Sequence, residues 1–170
     1  NFASLTFMVP LGIALAVTVR VGDAYGARDI SAVRLRGAVG IALALLGQAL
    51  AITLMVLFPR AVAGLYTSDP LVLELAVQML VLAGIFQLSD GLQVAAAGAL
   101  RGLQDTRAVL LITIAAYWLI GFPLAWLFGF KLQFGPLGMW YGLIAGLSFA
   151  AVALLWRWRR KTRSLRAASP

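Results

Sequence analysis

The chain of 170 residues is 62% hydrophobic and only 12% charged, whereas a soluble globular domain is about 45–50% apolar and about 25% charged. This composition excludes an ordinary water-soluble domain. The sequence contains no cysteine and no histidine, which excludes disulfides, thiolate chemistry and the usual zinc and copper ligands.

The net charge of +8 could indicate a nucleic-acid partner, but its distribution favours a membrane. Six of the fourteen basic residues lie between Arg157 and Arg166, directly after an apolar stretch. A basic cluster in that place is typical of a juxtamembrane cytoplasmic tail. We therefore expect membrane lipid, and no nucleic acid, among the partners.

Five apolar stretches are long enough to span a bilayer, because a hydrocarbon core about 30 Å thick requires about 20 residues in helix. The sequence predicts an all-α integral membrane protein with a transmembrane part over residues 1–157 and a basic cytoplasmic tail at residues 158–170. The chain begins without methionine and without a basic leader, so we interpret its start as a truncation. The predicted spans are residues 2–19, 37–58, 71–100, 108–130 and 136–156.

Short polar residues stand where the helices are expected to begin. Ser31 is predicted to cap the second helix, and Asp105 the fourth. Asp69 directly precedes Pro70, and proline is favoured at the first position of a helix. Pro123 lies inside the fourth span, where it frees a carbonyl group one turn back and allows a kink, which would serve as a hinge or shape the packing of the helix, with packing the favoured role.

Small and aromatic residues mark the last span. Gly138, Gly142 and Gly146 recur every four residues and predict a face on which another helix approaches closely. Trp156 and Trp158 flank the start of the basic tail, where tryptophan usually forms an interfacial belt.

The orientation follows from the basic residues in the short loops. From the first loop to the tail, the numbers of Lys and Arg are four, one, two, one and six. Because cytoplasmic loops are enriched in these residues, residues 20–36, 101–107 and 157–170 are predicted to be cytoplasmic. Residues 59–70 and 131–135 are then outside, as is the first residue.

One acidic residue, Asp90, lies well inside a predicted span. A carboxylate near the middle of a spanning helix costs about 2.5–3.5 kcal/mol on insertion scales, so such a residue is a functional candidate. The predicted spans contain no basic residue, and the nearest base in the chain, Arg101, is eleven positions away. A proton, a bound cation such as Na⁺, or a partner from elsewhere in the protein must therefore balance the charge.

Polar residues surround Asp90 at helical spacing. Phe86, Gln87, Asp90, Gln93 and Ala97 fall within about a third of the helix circumference, and this face is predicted to look into a cavity. The carboxylate, with the oxygens of the neighbouring polar side chains, would suit a proton or a hard cation. The alternative is that Asp90 is a structural hydrogen-bonding residue between helices and that the amides of Gln87 and Gln93 only link helices. The candidate lining residues are Phe86, Gln87, Ser89, Gln93 and Tyr117.

Several segments together resemble the multidrug and toxic compound extrusion (MATE) family, and the likeness runs from about residue 8 to about residue 157. The segments are residues 19–27 (VRVGDAYGA), 65–70 (LYTSDP), 90–93 (DGLQ), 98–106 (GALRGLQDT), 117–118 (YW) and 121–124 (GFPL). Each is weak alone, but their order and the predicted topology agree with that family.

The resemblance implies a five-helix fragment, helices eight to twelve, of a twelve-helix exporter with two lobes, the N-terminal lobe being missing here. Such proteins are antiporters rather than enzymes: they export organic cations and other amphipathic toxins against Na⁺ or H⁺ by alternating access, with no resident cofactor. It also implies a bacterial plasma (inner) membrane. Asp90 matches the acid of the tenth helix, which in the sodium-coupled branch lies in the cation site. Phe86 stands where that branch often has tyrosine, and a further acid of the site belongs to the seventh helix.

Three other interpretations differ in what they require. A lipid-linked oligosaccharide flippase of the same superfamily is expected to have basic residues inside its spans, and none is predicted here. An integral-membrane enzyme would need clustered acids or histidines at the interface, whereas the loop acids are scattered. A structural membrane subunit would leave Asp90 unexplained.

Overall fold

The structure is a computed structural model that describes residues 2–67 and 69–167, a bundle of five membrane-length apolar helical spans. This confirms the predicted all-α membrane fold and the number of spans. Asn1, Ser68 and residues 168–170 of the predicted tail lie outside the described residues. The α-helices are α1 (Phe2–Gly26), α2 (Ile30–Leu57), α3 (Pro59–Gly64), α4 (Pro70–Gly102), α5 (Thr106–Ile114), α6 (Phe122–Trp126) and α7 (Gly135–Ala167).

Helix α4 is the centre of the bundle, since it packs against α1, α2, α3, α5 and α7. Helices α4 and α1 approach each other so closely that their backbones are in contact. A Cβ atom at Gly98 would lie 2.6 Å from the carbonyl oxygen of Ala14, and the Thr18 hydroxyl donates to the Gly98 carbonyl oxygen at 3.0 Å. Small residues therefore bring α1 and α4 together, and a hydroxyl bonds them.

A buried apolar cluster lies at the end of the bundle where α1 stops and α2 starts. Val21, Val33, Leu100 and Leu154, from four different helices, are fully enclosed there. Trp158 joins this cluster with 6% of its surface exposed. The prediction that Trp158 belongs to an interfacial belt is therefore wrong, because the absence of a side chain at Gly37 admits its ring against α2.

Helix α7 does not stop at the predicted end of the last span. It continues without interruption to Ala167, so the described part of the basic tail is a helical extension. Thr162 is buried within it, with its hydroxyl donating to the carbonyl oxygen of Trp158 at 2.9 Å. In contrast, Trp156 is 60% exposed and holds the Arg160 guanidinium 5.3 Å from its ring centre.

The cap of α2 is Asp29 rather than the predicted Ser31. The Asp29 carboxylate accepts from the Ala32 amide at 2.9 Å, and the Ser31 hydroxyl, inside the helix, donates to the same carboxylate at 2.7 Å. These bonds, the amide first, hold the pKa of Asp29 below its ordinary value. The cap thus stabilises the fold at neutral pH, and this contribution is lost only in acid, as the carboxylate takes up a proton.

The turn between α4 and α5 is tied to the start of the basic extension. Asp105 occupies the cap position of α5, as predicted, but its side chain bonds no helix amide. Instead, its carboxylate accepts from the Arg157 guanidinium at 2.8 Å, and the Asp105 side chain is 11% exposed. A partly buried ion pair therefore joins the α4–α5 turn to α7.

The fourth span, Thr106–Lys131, is not a regular α-helix. Two π-helical segments, Ala115–Gly121 and Leu127–Lys131, flank α6. Pro123 stands in the first turn of α6, where its missing amide removes a hydrogen bond from the preceding turn. Pro123 thus lies beside wide π-helical turns. Such turns are rare in proteins, and those that occur are often found at functional sites.

The predicted glycine face of α7 packs directly on this irregular span. A Cβ atom at Gly146 would lie 2.8 Å from the Cα of Gly121, and Cβ atoms at Gly138 and Gly142 would overlap the backbone at Phe128 and Ala125. The close approach therefore needs the absence of side chains at all three positions.

Gly142→Leu is expected to separate α7 from α6 and to destabilise the complete protein by about 1–3 kcal/mol, the usual cost of overpacking. The readout is the midpoint of thermal unfolding in detergent. Gly12→Leu is the control, since a Cβ atom at Gly12 meets nothing within 4 Å in the described part of the chain. Equal midpoints for the two variants would contradict the packing described here.

Candidate functional site

Asp90 lies within α4, and its side chain is only partly buried. Among residues 2–67 and 69–167, no hydrogen bond or ion pair reaches its carboxylate, and the two ion pairs present there involve Arg60 and Arg157. The carboxylate thus has no permanent counter-charge in the described part of the chain.

Gln87, one turn before Asp90, bonds to α1 and α2. The amide nitrogen of Gln48 donates to the backbone oxygen of Gln87 at 3.0 Å and to its side-chain oxygen at 3.1 Å. The Gln87 amide in turn donates to the Thr6 hydroxyl. Gln87 is 1% exposed, so it links three helices inside the bundle, as the alternative interpretation of the sequence allowed.

Gln48 is a polar residue of this region that the sequence analysis missed. It is completely buried on α2, and its side-chain oxygen has no hydrogen-bond partner among the described residues. Gly91 leaves the space for it, because a Cβ atom there would lie 2.5 Å from the Gln48 Cγ atom. A single glutamine inside a long apolar span was the signal that could have identified it.

Gln93 and Ser89 point to the other side of α4. The Tyr117 hydroxyl lies 2.6 Å from the amide nitrogen of Gln93 and 3.0 Å from its amide oxygen. The Ser89 and Ser148 hydroxyls are 2.8 Å apart, which links α4 to α7. The predicted polar face is therefore divided between two sets of neighbours, with Asp90 between them.

An aromatic cavity of about 590 Å³ opens between the fourth span and α7. Phe86 and Tyr117 line it, so the structure brings these two predicted residues together. The ring of Phe86 packs edge-on against that of Trp140, with centroids 5.6 Å apart. Gln87, Ser89, Asp90 and Gln93 are not among its lining residues in the described part of the chain, which include Trp118, Phe122, Trp126, Phe130 and Met139.

The arrangement limits how a cation could be held. Hard cations need several oxygen ligands, but the side chains of Gln87, Ser89 and Gln93 are already bonded to other helices. Within residues 2–67 and 69–167, no group of three or more Asp, Glu, His or Cys residues could hold a metal ion. That Gln87, Ser89 and Gln93 contact a bound cation directly stays a prediction.

A membrane bundle that carries an unpaired carboxylate inside a span has the features of a transporter, since intramembrane acids mark ion and substrate pathways. Comparison with known proteins then identifies the family. The MatE family model matches residues 1–127, about three quarters of the chain. The chain therefore belongs to the MatE family, whose members are transporters and not enzymes.

Individual relatives agree with this assignment. The chain is 46% identical over 173 residues to a probable multidrug resistance protein NorM of Rhizobium meliloti, covering 99% of the chain and 37% of that relative. It is 43% identical over 167 residues to the multidrug resistance protein PmpM of Pseudomonas aeruginosa, covering 96% of the chain and 35% of the relative. The chain thus spans little more than a third of the length of these relatives.

A solved structure supports the fold. It is the inward-facing conformation of a multidrug resistance MATE family transporter of the MOP superfamily, with a TM-score of 0.85 and 24% sequence identity. The match covers 99% of the chain and 39% of that structure. The five-span bundle is therefore the arrangement that this family has in the corresponding region.

Tyr117→Phe removes the hydroxyl that joins the fourth span to α4. An interhelical hydrogen bond in a membrane contributes about 0.6 kcal/mol on average and at most about 1.7 kcal/mol, so we expect destabilisation in this range. Thermal unfolding of the complete protein measures it. Tyr141→Phe is the control, because Tyr141 is 47% exposed, and a larger loss in this variant would contradict the assignment.

Proposed function

We propose that the chain is the cation-coupled part of an exporter that extrudes drugs and other amphipathic or cationic toxic compounds by alternating access. Support comes from the family and from relatives named as multidrug resistance proteins. Because the chain spans only part of those relatives, the complete transport cycle also requires the remaining lobe. The protein is multi-pass in the bacterial inner membrane, and the basic loops favour a cytoplasmic C-terminus.

The observation that carries the proposal is Asp90, a partly buried intramembrane carboxylate without a protein counter-charge among the described residues. An isolated charge of this kind is costly unless it is neutralised. A mobile cation can bind and neutralise the Asp90 carboxylate in one conformation of the protein and dissociate from it in another. Asp90 is thus the group through which an ion gradient drives transport.

The donor set favours a proton over a sodium ion on this carboxylate. A proton needs one carboxylate oxygen, whereas a hard cation needs several oxygen ligands. The neighbouring side chains that could contribute, Gln87 and Ser89, are bonded to Gln48 and Ser148. Sodium coupling would therefore require ligands from the other part of the protein, or rearrangement of these hydrogen bonds.

The aromatic cavity is the proposed contact surface for substrates. Its walls are almost entirely aromatic and aliphatic, which suits flat amphipathic molecules, and ring faces attract organic cations. Tyr117 lies in the cavity wall and bonds to Gln93, which follows Asp90 by about one turn of α4. The bonded pair of Tyr117 and Gln93 thus connects the substrate surface to the helix that carries the acid.

Coupling requires that ion and drug prefer different conformations, since a ligand shifts an equilibrium only by its differential affinity. A proton on Asp90 removes the local negative charge and thereby weakens the attraction for a cationic drug near Tyr117. By reciprocity, binding of the drug lowers the affinity for the proton. Proton entry and drug release are therefore linked.

Asp90→Asn in the complete protein is expected to insert and fold normally but to lose ion-driven efflux of tetraphenylphosphonium, because an amide cannot exchange a proton. Flux into proteoliposomes under an imposed pH gradient, and separately under a sodium gradient, provides the measurement. Wild-type flux in Asp90→Asn would refute the coupling role. Flux driven by sodium alone would reject the preference for a proton.

Glu74→Gln is the matched control for this experiment. Glu74 lies on the same helix, but it is exposed and paired with Arg60 at 3.1 Å, and surface ion pairs contribute little. Its variant should transport like the wild type. Addition of the drug to protein in weak buffer should release protons from Glu74→Gln and none from Asp90→Asn.

Trp118→Ala tests the substrate surface. Trp118 is 67% exposed in the cavity wall, and a cation–π contact contributes about 0.5–2 kcal/mol. The dissociation constant for tetraphenylphosphonium should therefore rise roughly 2- to 30-fold, as measured by fluorescence titration. Trp156→Ala, which removes an exposed tryptophan outside the cavity, should leave the constant unchanged. Equal effects of both variants would contradict the assignment of the cavity.

A further inference from the structure

A second concave surface lies between α2 and α7; it shares no lining residue with the aromatic cavity, and the transport mechanism makes no use of it. It is a groove of about 710 Å³. Arg34, near the start of α2, and Arg159 and Arg163, near the end of α7, lie toward one end of the groove. The apolar residues that line the remainder are Leu35, Ala38, Ile41, Ala42, Leu45 and Leu155.

We propose that this groove binds an anionic glycerophospholipid, with the phosphate group at the three arginines and an acyl chain along the apolar part. The proposal goes beyond drug transport, because it concerns the lipid around the protein. The proposal rests on the charge, the shape and the length of the groove, each of which follows from residues of α2 and α7.

The charge is complementary to a phosphate group. The side chains of Arg34, Arg159 and Arg163 are exposed, and none has an ion-pair partner within residues 2–67 and 69–167. Arg159 and Arg163 are one helical turn apart, where like charges repel each other. A bound anion would relieve that repulsion, and basic pockets between spanning helices are known to suit anionic headgroups.

The acid at the start of α2, Asp29, is already hydrogen-bonded. Asp29 caps the helix, and its carboxylate accepts from the Ala32 amide and the Ser31 hydroxyl. Asp29 does not line the groove. It therefore supplies no counter-ion to the arginines of the groove in the described structure.

The shape of the groove follows from small residues on α2. Gly37 admits the ring of Trp158, which forms the floor with only 6% exposure. Ala38 and Ala42 add little side-chain volume above it, so the space between the helices stays open. The result is an apolar channel that begins at a cluster of positive charge.

The length distinguishes a lipid from a free phosphate ion. The residues of α2 that line the groove run from Ser31 to Leu45, about 21 Å at about 1.5 Å per residue. Half of a bilayer about 40–45 Å thick, headgroups included, is nearly the same length. Only a molecule with a headgroup and a chain fills both ends, whereas inorganic phosphate would use the arginines alone.

Native mass spectrometry of the complete protein tests the proposal, with dioleoylphosphatidylglycerol and dioleoylphosphatidylcholine as probes. One phosphatidylglycerol molecule should remain bound at concentrations at which phosphatidylcholine does not. Arg34→Gln combined with Arg159→Gln and Arg163→Gln should weaken this binding roughly tenfold or more. Equal retention of the two lipids by the wild type would overturn the proposal.

A control with the same change of net charge separates the groove from general basicity. Arg101→Gln, Arg107→Gln and Arg160→Gln together remove three positive charges outside the groove, and this variant should retain phosphatidylglycerol. Equal loss in both triple variants would overturn the proposal, because it would show a diffuse electrostatic effect.

A further variant keeps the charges and fills the channel. Ala42→Phe leaves the arginines in place and should also weaken phosphatidylglycerol binding, with elution as a single folded species in gel filtration as the check on folding. Wild-type binding by Ala42→Phe, or displacement of the lipid by millimolar inorganic phosphate alone, would show a simple anion site and reject the lipid.

Discussion

The hydrocarbon core of a bilayer offers no water, so every polar group inside it must find its partner within the protein. The interior of this bundle follows that requirement around α4, except at the side-chain oxygen of Gln48, which has no partner among the described residues. Gln87 bonds to Gln48, Gln93 bonds to Tyr117, and Ser89 bonds to Ser148. Asp90 lies among these satisfied groups and is the one whose charge no described residue balances. These hydrogen bonds tie α4 to α1, α2, α7 and the fourth span, whereas the Asp90 carboxylate has no bonded partner in the described part of the chain.

The same requirement explains how the helices are connected. Backbone contacts at Gly98 and at the glycine face of α7 draw the helices together without apolar side chains, since lipid tails provide no hydrophobic drive for association. Polar side chains then add direction to these contacts, as the Thr18 hydroxyl does on the Gly98 carbonyl oxygen. Close packing and hydrogen bonding thus act at the same places, and α4 contacts most of the other helices for this reason.

Much of this was readable in the sequence, and the errors have physical causes. The number of spans, the glycine repeat of α7 and the isolation of Asp90 depend on local composition, and the described part of the structure agrees with them. The cap of α2 was misplaced because Asp29 and Ser31 are both good caps, and only their geometry distinguishes them. The burial of Trp158 depends on the missing side chain at Gly37, which lies on α2 and is far from Trp158 in the sequence. Likewise, the partner of Gln87 could not be found without knowing that α2 lies beside α4.

The wide turns of the fourth span affect how its residues should be compared between relatives. A π-helical turn holds more residues than an α-helical one, so positions after Ala115 are displaced around the axis from where a constant 100° step would put them. Trp118 and Phe122 still meet, with ring centroids 6.0 Å apart, but through this altered winding. A homologue that lacks one residue in Ala115–Gly121 would return to regular winding and present a different set of side chains to the cavity. Loss or gain of a single codon there would therefore alter the cavity wall without substituting any of the remaining residues.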